Sequence, residues 1–411
     1  MKEKIISHSL TLFLVFTMLS CDNYYSFDES LNSDSLNSTS KGESTSYTSN
    51  HDFDSNGQCL DCGYIDFSNL SVEAGIKKFG YYVVDEDKSS SYTSDDIVYF
   101  GSYPQTLVTN SNILPGLNSM ITSLPSLPNI GSWTSFEFYS CNQKEDYAFY
   151  LDTIYSNHLY RAVYFTKYRP FSIDLIAENE NSYIPENYYL NQVYWFEYSP
   201  IKWNLLSYQN GIIKLGCLSS LEAEPFNSQC QIINGEHYNL KEGIFANNWE
   251  YSSLRTYLNA DFYNLAFNEN EKKLIESSEL DNLNSGYALE APYQIVQSNT
   301  TDKVFLLSYS DVRNTEYGYT GKGTSRIRSV SGYALIKGAR PSTQSIAKDG
   351  LPACLYFLRS SGETSCNVCC VSKLGSSQSS VSLDSYDGKV NGCTSGVLPS
   401  VQIRILKEGI L

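Results

Sequence analysis

The spacing of apolar positions changes several times along this chain, and the changes divide it. Leu10 to Leu19 is a continuous apolar run behind Lys2 and Lys4, too short to span a bilayer. From Asp22 to Asn50 apolar residues almost disappear. Val72–Phe79 then has helical spacing, and Tyr81–Val84 reads as a strand. Ile97–Phe100 predicts a strand that stops at Gly101 and Pro104. Residues 106–147, rich in Ser, Asn, Pro and Leu, read as an irregular insertion.

Two alternating runs follow, 147–154 and 159–165, around Ser156-Asn157-His158, and predict a hairpin. Residues 188–198, 200–206 and 211–218 predict three more strands, the last two joined at Gln209-Asn210-Gly211. The pattern switches to helical between Trp249 and Ile275. There Leu254, Tyr257 and Leu258 fall at i, i+3, i+4, and Phe262, Leu265 and Ala266 repeat the spacing. Ser252 or Ser253 can cap a first short helix, Asp261 a second, and Asn268 with Glu271 forms a capping box for a third. Strands return at 303–308, 355–360 and 397–405, with a hairpin about Asp387-Gly388 and a long loop at 310–352. Strands, helices, then strands predict an α+β fold: a mainly antiparallel sheet with two or three short helices.

The N-terminal run ends in Met18-Leu19-Ser20-Cys21, a loose bacterial lipobox, so residues 1–20 are expected to be a lipoprotein signal and Cys21 the lipid attachment site; the other reading is an ordinary signal peptide with Cys21 a plain cysteine. Two or more acyl chains there would hold the chain to a membrane without a spanning helix. The expected place is the outward face of a bacterial envelope. Residues 21–50 then form a solvated, disordered tether. The net charge of −16 becomes −17 without the signal, whose ionisable residues are Lys2, Glu3 and Lys4. Such a charge disfavours nucleic acid as a partner.

Eleven cysteines leave ten once Cys21 is lipidated, an even number that permits disulfides in an exported chain. Residues 51–95 form a small Cys-containing knuckle and linker. In it Cys59-Leu-Asp-Cys62-Gly63 with His51 can hold zinc, although a closed site needs a fourth ligand; the other reading is a disulfide turn. No other cofactor is called for.

Six short motifs in order, Phe100–Gln105, Pro200–Trp203, Ser253–Asn259 with Phe262 and Ala266-Phe267, Val304–Ser308, Leu358–Gly362 and Gly396–Ser400, carry a resemblance. Over about 96–407 they resemble a bacterial surface-protein family known only as a domain of unknown function, the 6273 family. That family is distantly similar to the C-type-lectin-like fold, in which helices pack on an antiparallel sheet and a long loop carries function. The resemblance implies one such domain over 96–411, in which Trp203, Arg255, Asn259 and Arg359 are structural. The chain departs from the family at Tyr257, often Trp there, at Tyr356-Phe357, often Trp-Trp, at Ser361, often Pro, and at Leu398, often Arg. No anion-binding role is carried over to 398.

Metalloprotease, serine-hydrolase and phosphate-loop arrangements are absent, since Tyr317–Ser325 has Gly323 after Lys322 and no following helix. Glu222 with Glu224, and Asp384 with Asp387, are carboxylate pairs that read as solvated loop charges. Glu224-Pro225-Phe226 lacks the third ligand of a lectin calcium loop. Two functional readings follow. In one, the 310–352 loop binds a glycan or a surface protein through Tyr317, Tyr319, Arg326 and Arg328, the basic, aromatic segment of an acidic protein. In the other, Cys366-Asn-Val-Cys369-Cys370 serves a cysteine-based oxidase of the formylglycine-generating kind, although in an exported chain a structural disulfide cluster is the favoured reading of these cysteines. A purely structural envelope role is a third. The expectation is a non-catalytic binding module.

Overall fold

A computed structural model describes residues 97–136, 138–140, 143–166, 171–172, 188–241, 243–283, 297–320, 323–339, 341–362, 364–382 and 393–404. The chain divides into two units, Met1–Thr45 and Ser46–Leu411, and every described residue lies in the second. Cys21, His51, Cys59, Cys62, the 72–79 helix, the 81–84 strand and the Asp387-Gly388 turn lie outside the described residues.

In chain order, and apart from the two-residue strand Phe171–Ser172, the strands of the two larger sheets are β1 (Ile97–Leu107), β2 (Thr134–Ser135), β3 (Ala148–Tyr155), β4 (His158–Phe165), β5 (Val193–Gln209), β6 (Ile212–Cys217) and β7 (Glu222–Glu224). Then come β8 (Ile275–Glu276), β9 (Val304–Phe305), β10 (Tyr356–Ser361), β11 (Asn367–Val371), β12 (Ser377–Ser382), β13 (Cys393–Val397) and β14 (Ser400–Arg404). The first sheet is antiparallel throughout, in the order β8-β14-β6-β5-β4-β3-β2, with β1 on β5 and β9 on β14. The second runs β7-β13-β10-β11-β12, with the two-residue strand Phe171–Ser172 also on β13, and both the β10–β13 and the Phe171–Ser172 contacts are parallel. The architecture is therefore α+β and mostly antiparallel, as the pattern predicts.

The two predicted tight turns form. Ser156 and Asn157 join β3 to β4, and Asn210 and Gly211 join β5 to β6, all with positive φ. His158, read as a turn residue, instead opens β4 with Nδ1 3.0 Å from Glu197 Oε1. The predicted break at Pro200 does not occur, and β5 runs through it for 17 residues. The reason lies in its partner. β1 bulges between Tyr99 and Ser102, so that Ser102 stands opposite Pro200 and the missing proline N–H falls at an irregularity. The bulge also redirects backbone groups. Gly101 N, at φ +75°, donates to Glu271 Oε1 at 3.0 Å, and Phe100 O accepts from Trp203 Nε1 at 2.7 Å.

The helical stretch is less broken than predicted. Helices α2 (Ser253–Tyr257) and α3 (Tyr263–Ala266) are joined by a π turn, Leu258–Phe262, and α4 (Glu269–Leu274) follows, while a shorter helix, α1 (Leu114–Ser119), precedes them in the chain. Ser252 caps α2 through Arg255 N, and Asn268 with Glu271 makes the reciprocal box, with bonds of 3.0 and 2.8 Å. Asp261 caps nothing, because the π turn carries the helix past it. Asn259 fastens this layer to the sheet: its Nδ2 donates to Val304 O, and its Oδ1 accepts from the amides of Lys303 and Val304. Arg255 and Trp249 Nε1 both reach the buried Asp302.

The insertion has a packing role. Leu117 and Trp133 cover the outer face of the sheet against Phe149, Tyr160, Ala162, Tyr164 and Trp195, a second small core. Period-2 alternation then turns Arg161, Val163 and Phe165 of β4 to the opposite face. The 310–352 segment is also built rather than looped. It holds three 3-10 turns and helix α5 (Gly332–Ile336), in which Tyr333 through Ile336 are buried.

Candidate functional site

Two carboxylates at i and i+2 of a strand point the same way, and a tyrosine and a lysine at i and i+4 share a helix face. β7 supplies Glu222 and Glu224; α5, capped by Ser331, supplies Tyr333, with Lys337 at its C-terminal cap. The two elements meet. Lys337 Nζ lies 3.0 Å from Glu222 Oε1 and forms an ion pair with Glu224 Oε1. Glu222 also accepts from its neighbour's amide, Ala223 N, at 2.9 Å. Tyr103 of β1 and Tyr257 of α2 both reach Glu222 Oε2, at 2.8 and 3.0 Å, and stand 2.7 Å from each other.

A second polar unit adjoins the first. Asp152 and Arg161 face each other across the β3–β4 hairpin, and the guanidinium grips the carboxylate at two points, 2.8 and 2.6 Å. Arg161 Nη1 donates to Tyr333 OH at 3.1 Å, and its head lies 4.2 Å above the Tyr150 ring. Lys337 stands 4.9 Å from the Phe136 ring centre. These groups floor a cleft of about 1170 Å³. Its walls include the Asn227–Gln229 segment, Tyr251 and the helical residues Thr256, Asp261 and Asn264.

Burial sets the protonation states. It pushes Glu224 up to about 7, against the pull of Lys337 and with the help of Glu222. Burial works against the charged Lys337, yet Glu222 and Glu224 hold it well above its ordinary value. Burial likewise opposes a charged Arg161, while Tyr333 and Asp152 keep it firmly protonated. Tyr103, Tyr257 and Tyr333 are all raised, by burial first, and stay protonated donors. Glu224 is thus the group of the cluster poised near neutrality, and its side chain is 15% exposed.

The sequence shows the carboxylate pair but reads it as solvated loop charges; it stands on a strand instead, with Glu222 1% exposed and only Glu224 reaching solvent. Arg161, Lys337 and the three tyrosines carried no signal beyond the Tyr333/Lys337 spacing. The loop residues lie elsewhere and turn inward. Tyr319 and Arg328 are buried, with Arg328 bonded to Ser325 O, Ile327 O and Tyr319 OH. Arg326 binds Gly375 O and Thr320 O, and half-buried Tyr317 accepts from Lys214. Arg359 is buried too, on Asp311 at 2.7 Å and Leu306 O at 2.9 Å. Cys366 is a half-buried free thiol, and Cys369 and Cys370 are buried on opposite faces of β11. Cys217 is free and buried, its thiol pushed up to about 12.

Among the described residues no group of three His, Cys, Asp or Glu is placed to hold a metal ion, and no helix is long and apolar enough to cross a membrane. No curated protein and no solved structure matches the chain. The family match is shorter than the motif series, leaving the Phe100–Gln105 and Pro200–Trp203 motifs outside it, along with Arg161, Glu222 and Glu224. Residues 228–405, which contribute Tyr257, Tyr333 and Lys337 to the cleft, match the family described as Domain of unknown function (DUF6273).

Proposed function

We propose that this chain is a lipid-anchored bacterial surface protein whose folded part is a C-type-lectin-like binding module, and that it recognises a polar ligand in the cleft. The carrying observation is the cleft's floor: two cations and three carboxylates brought from three strands and a helix, hydrogen-bonded to one another and open to solvent at Glu224. Ordering that many buried charges costs stability that a scaffold does not need. The Asn, Ser, Gln and Thr rim suits hydroxyl groups, and Tyr251 offers a ring at the wall. The 310–352 segment contributes here to the floor through α5 and Lys337, and not through its arginines.

Deleting that segment would remove Tyr333 and Lys337 from the core, so point variants are the proper test. Thr256 and Asn264 line the cleft and are exposed. The full chain, Thr256→Arg and Asn264→Trp should be compared on glycan and surface-protein arrays. Ligands retained by the wild type and lost by both variants support the cleft; unchanged binding in both refutes it. Cys21, through its acyl chains, holds the module at the envelope under this reading.

A further inference from the structure

We propose that the cleft receives an ammonium group of its ligand, with Glu224 as the charge partner and Asp261 at the rim; this rests on the cleft being the binding site. Four carboxylates line it, Asp152, Glu222, Glu224 and Asp261, against two cations, Arg161 and Lys337. Both cations are committed. Arg161 is held at two points by Asp152. Lys337 is shared by Glu222 and Glu224 and can neutralise one of them. Glu222, 1% exposed, also has Tyr103, Tyr257 and an amide donor, so the unbalanced charge falls on Glu224. Lys337, Glu222, Asp261 and Tyr257 act on Glu224, and Lys337 is the cation among them; the cleft's other cation, Arg161, is held by Asp152. Lys241 lies near the wall, but over the Tyr251 ring at 3.7 Å.

The geometry selects the kind of cation. Glu224 Oε1 already takes Lys337, which leaves one oxygen, enough for a point-like ammonium and too few for the planar fork of a guanidinium. A divalent hard cation would need six or more oxygens. The rings that could cage a quaternary ammonium already face the protein's own cations, Tyr150 under Arg161 and Phe136 beside Lys337. Asp261 sits exposed on the π turn, a local distortion that recurs at functional sites. Amino sugars, polyamines and lysine side chains all carry the required group.

The test is calorimetric titration of the full chain with glucosamine, spermidine and Nα-acetyl-lysine amide, each beside its N-acetylated counterpart. At least one ammonium probe should bind ten-fold or more tighter than its acetylated form, and the one that does identifies the source. Glu224→Gln should remove that preference, and Asp261→Asn should reduce it several-fold. With spermidine or the lysine probe, whose amines stay charged, affinity should rise between pH 6 and pH 8 as Glu224 ionises. Equal affinity for acetylated and free amines, no binding by any ammonium probe, or a preference unaltered in both variants overturns the inference. If array ligands are neutral yet still lost in Thr256→Arg and Asn264→Trp, the binding reading stands and the ammonium inference alone fails.

Discussion

Replacing Glu224 with Gln should make the protein more stable at pH 8 and leave it nearly unchanged at pH 4.5. Glu224 titrates near 7 in the folded chain against an ordinary value of 4.5. Because the folded state holds the proton more tightly, stability is greatest below the unfolded value and falls as pH rises from 4.5 to 7. The shift corresponds to about 3 kcal/mol at pH values above both. Gln is close in shape to the protonated acid and keeps an oxygen for Lys337, so it is spared that loss. The difference between variant and wild type should therefore grow from near zero to about 3 kcal/mol across this window. Urea unfolding at several pH values measures it, and all four tryptophans, Trp133, Trp195, Trp203 and Trp249, are buried reporters. A difference that does not vary with pH, or a Gln variant less stable at pH 8, would refute the assignment of the buried charge to Glu224.

Three other changes probe the scaffold and the anchor. Gly101→Ala should cost on the order of 3 kcal/mol in thermal or urea unfolding, since its Cβ would lie 2.7 Å from the Phe267 ring and 2.8 Å from Ala266 O, at φ +75°. Asn259→Ala should cost about 2 kcal/mol by removing the acceptor of the Lys303 and Val304 amides, and faster amide exchange at those two positions would localise the loss. Cys21→Ser should move the chain from the membrane to the soluble exported fraction; retention in the membrane would remove the lipid anchor from the proposal.

The fold was legible in the sequence wherever a local rule decided it. Alternation found the β3–β4 hairpin, positive-φ residues marked both tight turns, and the Asn268–Glu271 box closed as its spacing demands. Rules failed where a distant partner overruled them. Pro200 should end a strand, and does not because the bulge at Gly101, a hundred residues earlier, absorbs the missing donor. Asp261 has the profile of a cap, but the preceding turn widens to a π turn instead of ending.

The cleft was hidden for a related reason. Its two cations come from positions where charge ordinarily signals exposure: Arg161 stands inside an apolar alternating strand, and Lys337 follows a short apolar helix in a segment whose composition reads as a loop. What makes burial tolerable is supplied from elsewhere, Asp152 across the hairpin for the one and Glu222 with Glu224 from β7 for the other. Aromatic residues hide in the same way. A high tyrosine content fits β structure or exposed stacking equally well, and the sequence could not distinguish Tyr319, which seals Arg328 inside the 310–352 segment, from Tyr257, whose hydroxyl reaches Glu222 at the cleft floor. The arginines that looked free to meet a ligand are bound to carbonyls of their own segment or of the turn at Gly375. Under the binding reading, recognition is to be sought where charges are buried against the usual preference, because there the fold carries a cost that packing alone does not require.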